Sequence, residues 1–172
     1  MEFYEAVQKR LSVRSYKPDP VPEEVLNRVL EAGRLAPSAK NLQPWKFIVV
    51  TDPAIRQALV PACKGQGSVG QAPVVICGCA IDAQVWKGMG GYWSAEAVDL
   101  TIAIEHMILA AAAEGLGTCW IGAFIEAEVR KVLAIPEGVK PIALTPLGYP
   151  AVDSKPRPRK PLSEIVSYDR YQ

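Results

Sequence analysis

Two stretches near the start of the chain group the residue types that can grip a phosphorylated, planar, hydrogen-bonding ligand. Arg10-Leu-Ser-Val-Arg14 sets two guanidiniums and a hydroxyl within five residues. Arginine presents a planar fork that matches phosphate oxygens two at a time, whereas lysine offers a point charge. Ala36-Pro-Ser-Ala-Lys-Asn-Leu-Gln-Pro-Trp45 is turn-rich, dense in small and hydrogen-bonding side chains, and runs straight into the strand-like Lys46-Phe-Ile-Val-Val-Thr51. A third group, Arg157-Pro-Arg-Lys160, lies near the other end of the chain. Each group has a plainer meaning as well. Basic residues suit a helix C-terminus or a solvated surface, and Ser38 and Asn41 suit turns that satisfy their own backbone.

The totals restrict the classes open to the chain. Its 172 residues suit one domain, 49% of them are apolar, and the formal net charge is +1. A core is expected and disorder is not. So balanced a chain lacks the broad basic face of a general nucleic-acid binder, and the basic residues matter by position. The most apolar long stretch, Ala95 to Leu116, carries Glu96, Asp99, Glu105, His106 and Glu114 and is no ordinary membrane span. The start, Met-Glu-Phe-Tyr-Glu, lacks the basic and apolar regions of a secretory signal, so a cytoplasmic protein is expected. Cys77-Gly-Cys79 is not the C-x-x-C of redox or zinc sites, and one histidine is too few for a zinc cluster, so no metal site is expected. Cys63, Cys77, Cys79 and Cys119 read as buried structural thiols.

The elements that must position these groups follow from periodicity. Residues 2–10 read as a short helix, 15–22 as a proline-punctuated connector, and 22–35 as a second helix opened by Pro22-Glu-Glu and closed before Pro37. Strands are expected at 46–51, 72–80 and 140–147, the first two covered on both faces. A helix runs from Asp52 to about Ala62, and the glycine-rich 64–71 reads as a loop. Ser94 reads as the N-cap of a long helix that is apolar nearly all round and ends at Gly115 and Gly117. Such a helix belongs in a core or a subunit interface. A short helix spans 126–134. Residues 150–161 hold four prolines, and Leu162, Ile165, Val166 and Tyr168 beyond them suit a segment lying along something already folded.

In order and spacing, these blocks resemble the FMN-dependent nitroreductase family. Gly115-Leu-Gly-Thr-Cys-Trp-Ile-Gly-Ala-Phe124 resembles that family's loop beside the flavin, Leu144-Thr-Pro-Leu-Gly-Tyr-Pro150 its last core strand, and Arg157-Pro-Arg-Lys-Pro-Leu162 its C-terminal phosphate-contacting segment. The likeness covers nearly the whole chain. It implies an α+β fold with a mixed central sheet flanked by helices, and a homodimer with the long helix at its interface. It also implies a single domain over 1–172 whose residues 150–172 extend onto the partner.

The resemblance further implies which residues hold FMN. Arg10, Ser12 and Arg14 match the opening phosphate-binding motif. Pro37, Ser38, Ala39 and Asn41, with Gln43 beside them, match the second flavin loop. Gln66 stands where the family often supplies an amide to the ring, although its glycine neighbours suit a surface loop equally well. Ile121, Gly122 and Ala123 fall in the loop facing the flavin's reactive edge, where backbone N–H groups tune hydride acceptance. Arg159 and Lys160, with Arg157 less directly, match the second phosphate contact.

The implied activity is an oxidoreductase taking hydride from NADH or NADPH and passing electrons to a nitroaromatic, a quinone or a similar small acceptor in a two-step exchange at one site. No side chain is assigned as catalytic, in keeping with the absence of a Ser/His/Asp or Cys/His constellation. His106 reads as a packing residue, and Trp86, Tyr92 and Trp93 as an aromatic lid or as local anchors. Dehalogenation or flavin fragmentation on the same scaffold, a non-enzymatic flavin-binding or redox-sensing protein, and an unrelated α/β binding domain are the rival readings.

Overall fold

The computed structural model describes residues 1–171; the last residue of the expected embracing segment, Gln172, lies outside them. Its centre is the strand β2, Val74–Ile81, whose uninterrupted apolar run is explained by helices on both faces. Val75 and Cys77 point with Cys79 into a cluster containing Leu59, Val129 and Leu144. Val74 and Ile76 face a second cluster with Val29, Met107 and Ala111, and Ala80 a third with Leu100 and Ile104. The first face is covered by α3 (Pro53–Ala62) and α6 (Glu126–Val132), and the other by α2 (Glu23–Arg34) and α5 (Glu96–Ala113). This alternation is the period-two pattern of a strand buried on both sides.

Four strands form the sheet in the order β1-β2-β4-β3, with β1 Trp45–Val50, β3 Gly117–Thr118 and β4 Val139–Gly148. Every pairing between them is antiparallel, and the parallel component of the expected mixed sheet is one bridge, Ser12 to Thr118. The expectation of three strands missed β3, whose two residues are too few to show a period. β1 was expected to be covered on both faces; it is an edge strand, mostly half-buried and with Lys46 exposed.

Two local expectations need correction. Residues 64–71 are not all loop: Gly67–Gln71 form the helix α4, with Ser68, Val69 and Gly70 buried, so packing overrides the poor helix propensity of glycine. The N-cap of α5 is Ala95, not Ser94. The Ser94 hydroxyl still accepts the Glu96 N–H at 3.4 Å, so it serves the same orphan amides from one residue further out.

The segment carrying Arg10, Ser12 and Arg14 has no regular structure of its own, and it is fixed by what it is stitched to. It follows α1 (Phe3–Lys9). The Val13 N–H donates to the Thr118 carbonyl at 2.8 Å, and the Lys17 N–H to the Tyr149 carbonyl at 2.8 Å. The Ala151 N–H returns to the Ser15 carbonyl at 3.0 Å. Tyr16 is buried beneath, and its hydroxyl lies 2.8 Å from the Val13 carbonyl and 3.3 Å from that of Pro146. At Gly117 a Cβ would stand 2.6 Å from Val13 Cγ2 and 2.8 Å from Val13 Cβ, so only glycine lets β3 approach this segment so closely.

Residues 150–171 add the short helix α7, Leu162–Ile165, and otherwise run without regular structure. Leu162 is 74% exposed, Ile165 62% and Tyr168 80%, so these apolar anchors do not pack on their own chain. Phe3 and Tyr4 of α1 are exposed in the same way.

Burial pushes the Tyr16 phenol well above its ordinary value, so it stays a hydrogen-bond donor. In the unfolded chain a tyrosine ionises near pH 10 (roughly its reference value). Above that pH the unfolded state holds fewer protons than the folded state, so the stability Tyr16 confers is complete below about pH 10 and falls as the pH rises. Tyr16→Phe is expected to cost about 1–2 kcal/mol in urea unfolding at neutral pH and to shallow the alkaline loss of stability. An alkaline limb identical to the parent's would contradict this account.

Candidate functional site: an arginine-lined cleft

The stitching brings the two ends of the chain together. Arg10, Ser12 and Arg14 from one end, and Lys155, Arg157 and Arg159 from the other, line a single cleft of about 850 Å³. Five cationic residues therefore line one space, and among the described residues no Asp or Glu lines it. Among the described residues, none of the five belongs to an ion pair. In a chain of net charge +1 this clustering is not a consequence of bulk basicity. Like charges held in a concave site raise the local potential and draw in an anion.

Lys160 does not line the cleft. Its ammonium lies 4.0 Å from the Glu164 carboxylate. Residues 155–159 all line the cleft, and Lys160, drawn toward Glu164, falls just beyond it. Lys155, which lines the cleft with them, is not among the residues expected from the sequence.

Arg14 also joins the cleft to a neighbouring cavity of about 580 Å³ lined by Gln66, Gly67, Ser68 and Gln71. The Gln66 side-chain amide donates to the carbonyls of Cys63 and Ala123, each at 3.1 Å, and its own carbonyl remains as an acceptor. This ties Gln66 to the loop 119–125. Ile121 anchors that loop: it is buried and exchanges backbone hydrogen bonds of 2.8 and 3.1 Å with Leu144. Gly122 and Ala123 beyond it are exposed. A Cβ at Gly122 would come no nearer than 3.4 Å to anything, the Trp120 ring, so the fold itself does not require a glycine there.

Pro37, Ser38, Ala39 and Asn41 are not brought to this cleft. Their loop leads into Trp45, which pairs with Ala80 of β2, whereas Thr118 beside Ser12 pairs with Leu147, opposite Val74. Six residues of β2 separate the two ends, or about 20 Å. The loop is tightly shaped. Lys40, Asn41 and Gln43 all have φ between 50° and 56°, and the Ser38 hydroxyl accepts the Gln43 N–H at 2.9 Å. Three non-glycine residues in the left-handed region is the kind of strain that folds retain at functional loops.

What holds this loop is a residue that sequence reasoning passed over. Asp99, 3% exposed on the first turns of α5, accepts the Ala39 N–H on Oδ1 at 3.0 Å. Its Oδ2 is buried without a partner among the described residues. A carboxylate on the apolar side of a helix was the available signal, because aspartate is seldom buried without a purpose.

The other singled-out residues have structural places. His106 sits with Nδ1 3.3 Å from the Ala32 carbonyl, as a packing residue would. All four cysteines are free and buried; the Cys77 and Cys79 sulfurs are 3.7 Å apart, and burial pushes Cys63 up to about 11. Trp86 packs on the core with Lys40 over its ring, while Tyr92 and Trp93 are exposed. Trp86 thus lies beside Lys40 of the 37–43 loop, and none of the three aromatic residues lines the arginine cleft of its own chain. Among the described residues no cluster of side chains suits a metal ion, and no helix is long and apolar enough to cross a membrane.

The family model described as the Nitroreductase family matches residues 7–75 and 64–149. A curated relative from Thermus thermophilus, named NADH dehydrogenase, is 35% identical over 94% of this chain and 93% of its own length. A Bacillus subtilis relative named FMN reductase [NAD(P)H] is 30% identical over 99% of this chain and 74% of its own. The crystal structure of a nitroreductase family protein from Clostridium difficile 630 superposes with a TM-score of 0.90 at 31% identity, covering 99% of this chain and 100% of that one. The chain belongs to the nitroreductase family, and its α+β fold is the fold of that family.

Asp99→Ala leaves the half-buried Ala39 N–H without its acceptor, a loss of about 1–3 kcal/mol. Hydrogen exchange at Ala39 is expected to quicken at least tenfold (roughly 1.4 kcal/mol). Asp99→Asn, which keeps an acceptor oxygen, is expected to restore most of the protection. Equal exchange in all three proteins would show that Asp99 does not hold the loop.

Proposed function

We propose that the protein is an FMN-dependent oxidoreductase that takes reducing equivalents from NAD(P)H and works as a homodimer with two equivalent sites. The observation that carries this reading is the arginine cleft, in which charged residues from both ends of the chain face one space with no carboxylate to neutralise them. The FMN reductase name of the Bacillus subtilis relative points the same way. The residues fit the cofactor. Arg10, Arg14 and Arg159 supply forks for its phosphate, and the Ser12 hydroxyl adds a donor. The exposed backbone at Gly122 and Ala123 suits the ring's approach, which explains a glycine that the fold does not need.

A flavin reaching both the cleft and the Pro37–Asn41 loop must span ends of the sheet about 20 Å apart, so we assign the loop to a second copy of the chain. The exposed side chains of α1 and of residues 162–168 supply apolar surface for that contact. On this reading residues 1–172 form one domain, with 150–172 reaching onto the partner. Trp86, beside Lys40 of the loop, then stands near the partner's cleft and shapes its acceptor side.

When bound, FMN supplies the chemistry, accepting a hydride from reduced nicotinamide and passing electrons to an electron-poor acceptor such as a nitroaromatic or a quinone. The chain's own residues bind, orient and bias. Cations near the ring's pyrimidine edge stabilise negative charge that appears only on reduction. The Gln66 carbonyl, left free by the two bonds of its amide nitrogen, would be available to accept from the ring, and the backbone N–H groups of Gly122 and Ala123 would be available to donate to it without any titrating side chain. The two reactants would occupy one site in turn, and no side chain is assigned as acid or nucleophile.

The purified protein is expected to be yellow and to release FMN on denaturation. It should oxidise NAD(P)H when given a nitroaromatic or a quinone. Arg10→Ala and Arg159→Ala are each expected to weaken FMN binding by about 1.5–3 kcal/mol, ten- to a hundredfold or more, as measured by equilibrium dialysis. A colourless protein whose variants match the parent in FMN binding would overturn the proposal.

A further inference from the structure

We infer that Cys77 and Cys79 form a redox pair, which hydrogen peroxide closes into an internal disulfide and a small dithiol reopens. The inference goes beyond the flavin reading and holds whether or not the chain binds FMN. The two sulfurs already lie 3.7 Å apart. Residues i and i+2 of a strand project to one face, and both thiols enter the cluster covered by α3 and α6. Two residues of strand rise about 6.5 Å, within the span of roughly 4.4–6.8 Å that a disulfide bridges between Cα atoms. Gly78 pairs with Ala143 but Cys79 with Pro141, which leaves Ile142 of β4 as a bulge opposite this step. An irregular ladder with a glycine at its centre yields to the small backbone change that the bond requires.

The two thiols are unequal. Hydrogen bonding from the Cys77 thiol holds Cys79 below the ordinary thiol range, assisted by Arg130 of α6, whereas that bond and burial hold Cys77 well above it. Cys63, in the same cluster, is pushed up to about 11 by burial, and Cys119 is raised by burial as well. The thiolate is the reactive form, so Cys79 attacks and Cys77 resolves. Both sulfurs are buried, and part of their cover is α6, seven residues long and without a side-chain cap at its start. A helix so short opens locally at less than the cost of global unfolding, which admits a small uncharged oxidant.

The Cys79 thiolate attacks one oxygen of the peroxide, the O–O bond breaks, and hydroxide leaves. The Cys77 sulfur then attacks the resulting sulfenic acid, the S–O bond breaks, and the thiol proton leaves with the second hydroxide as water. The two sulfurs together lose two electrons, and the peroxide gains them. A dithiol reverses the change by exchange through a mixed disulfide. Cys79 pairs with Lys46 of β1, one residue past Trp45, where the 37–43 loop enters the sheet. Closing the bond pulls on that pairing, so the redox state of the pair reaches β1.

The test treats the purified protein with hydrogen peroxide, alkylates it in denaturant and maps its peptides by mass. Cleavage after lysine and arginine leaves Cys77 and Cys79 together in residues 65–87, apart from Cys63 and Cys119. That peptide is expected to escape alkylation, to weigh two hydrogens less than its reduced form, and to take up two alkyl groups after dithiol treatment. Cys77→Ala is expected to leave a sulfenic acid on Cys79 that dimedone traps, and Cys79→Ala to leave Cys77 unmodified. Hydrogen exchange over residues 45–48 should quicken about tenfold on oxidation and recover on reduction. A peptide that stays reduced, a link from it to the Cys63 peptide, or oxidation no faster than global unfolding would overturn the inference. So would a disulfide that leaves the exchange of β1 unchanged.

Discussion

The structure depends on a short run of backbone pairing that joins the front of the chain to its end. Residues 12–17 lie against Thr118 on one side and against Tyr149 and Ala151 on the other, with the Tyr16 hydroxyl bonded beneath them. The segment is too short and too irregular to hold a shape alone. Its hydrogen bonds to β3 and to the end of β4 replace that missing structure. Because the chain leaves β4 at the same place, cations about 145 residues apart in sequence enter one cleft. Their mutual repulsion is sustained by a core on both faces of β2 that does not involve them.

The same constraint divides the site. The cleft belongs to one end of the sheet and the strained 37–43 loop to the other, with the length of β2 between them. On the proposed reading one copy carries two half-sites facing different spaces. A two-fold arrangement would complete both at once, because a self-complementary contact brings each half-site to its counterpart. It would also give the exposed aromatic side chains of α1 and the apolar residues of the tail something to cover. Asp99 matters at this junction. It fixes the loop from the core side and leaves one carboxylate oxygen unpartnered among the described residues.

Much of this was legible in the sequence, for identifiable reasons. The long helix and the two central strands stood out because burial on several sides writes continuous apolar runs. Arg10, Arg14 and Arg159 were singled out through the family resemblance, since basic residues alone suit a solvated helix end or surface as well. α4 was hidden, since its glycines argue against a helix and only packing against α3 reverses that. β3 was hidden by its length. Lys160 was matched to the phosphate contact by the resemblance, whereas its ammonium lies 4.0 Å from the Glu164 carboxylate and Lys155 lines the cleft instead. No pattern within one chain reveals that two blocks resembling one family's site stand at opposite ends of a sheet.

The central claim is that one flavin is held by the arginine cleft of one copy and the Pro37–Asn41 loop of another. Complementation tests it most directly. Arg10→Ala disables the cleft, and Asn41→Asp, which keeps a residue tolerant of the left-handed backbone, disables the loop. Each homodimer should retain little FMN. In a co-expressed heterodimer one site collects both defects and the other collects neither, so about half the parental flavin should return, with activity to match. If instead the heterodimer stays as poor in flavin as the two variants alone, each site is built within a single chain and the account is wrong.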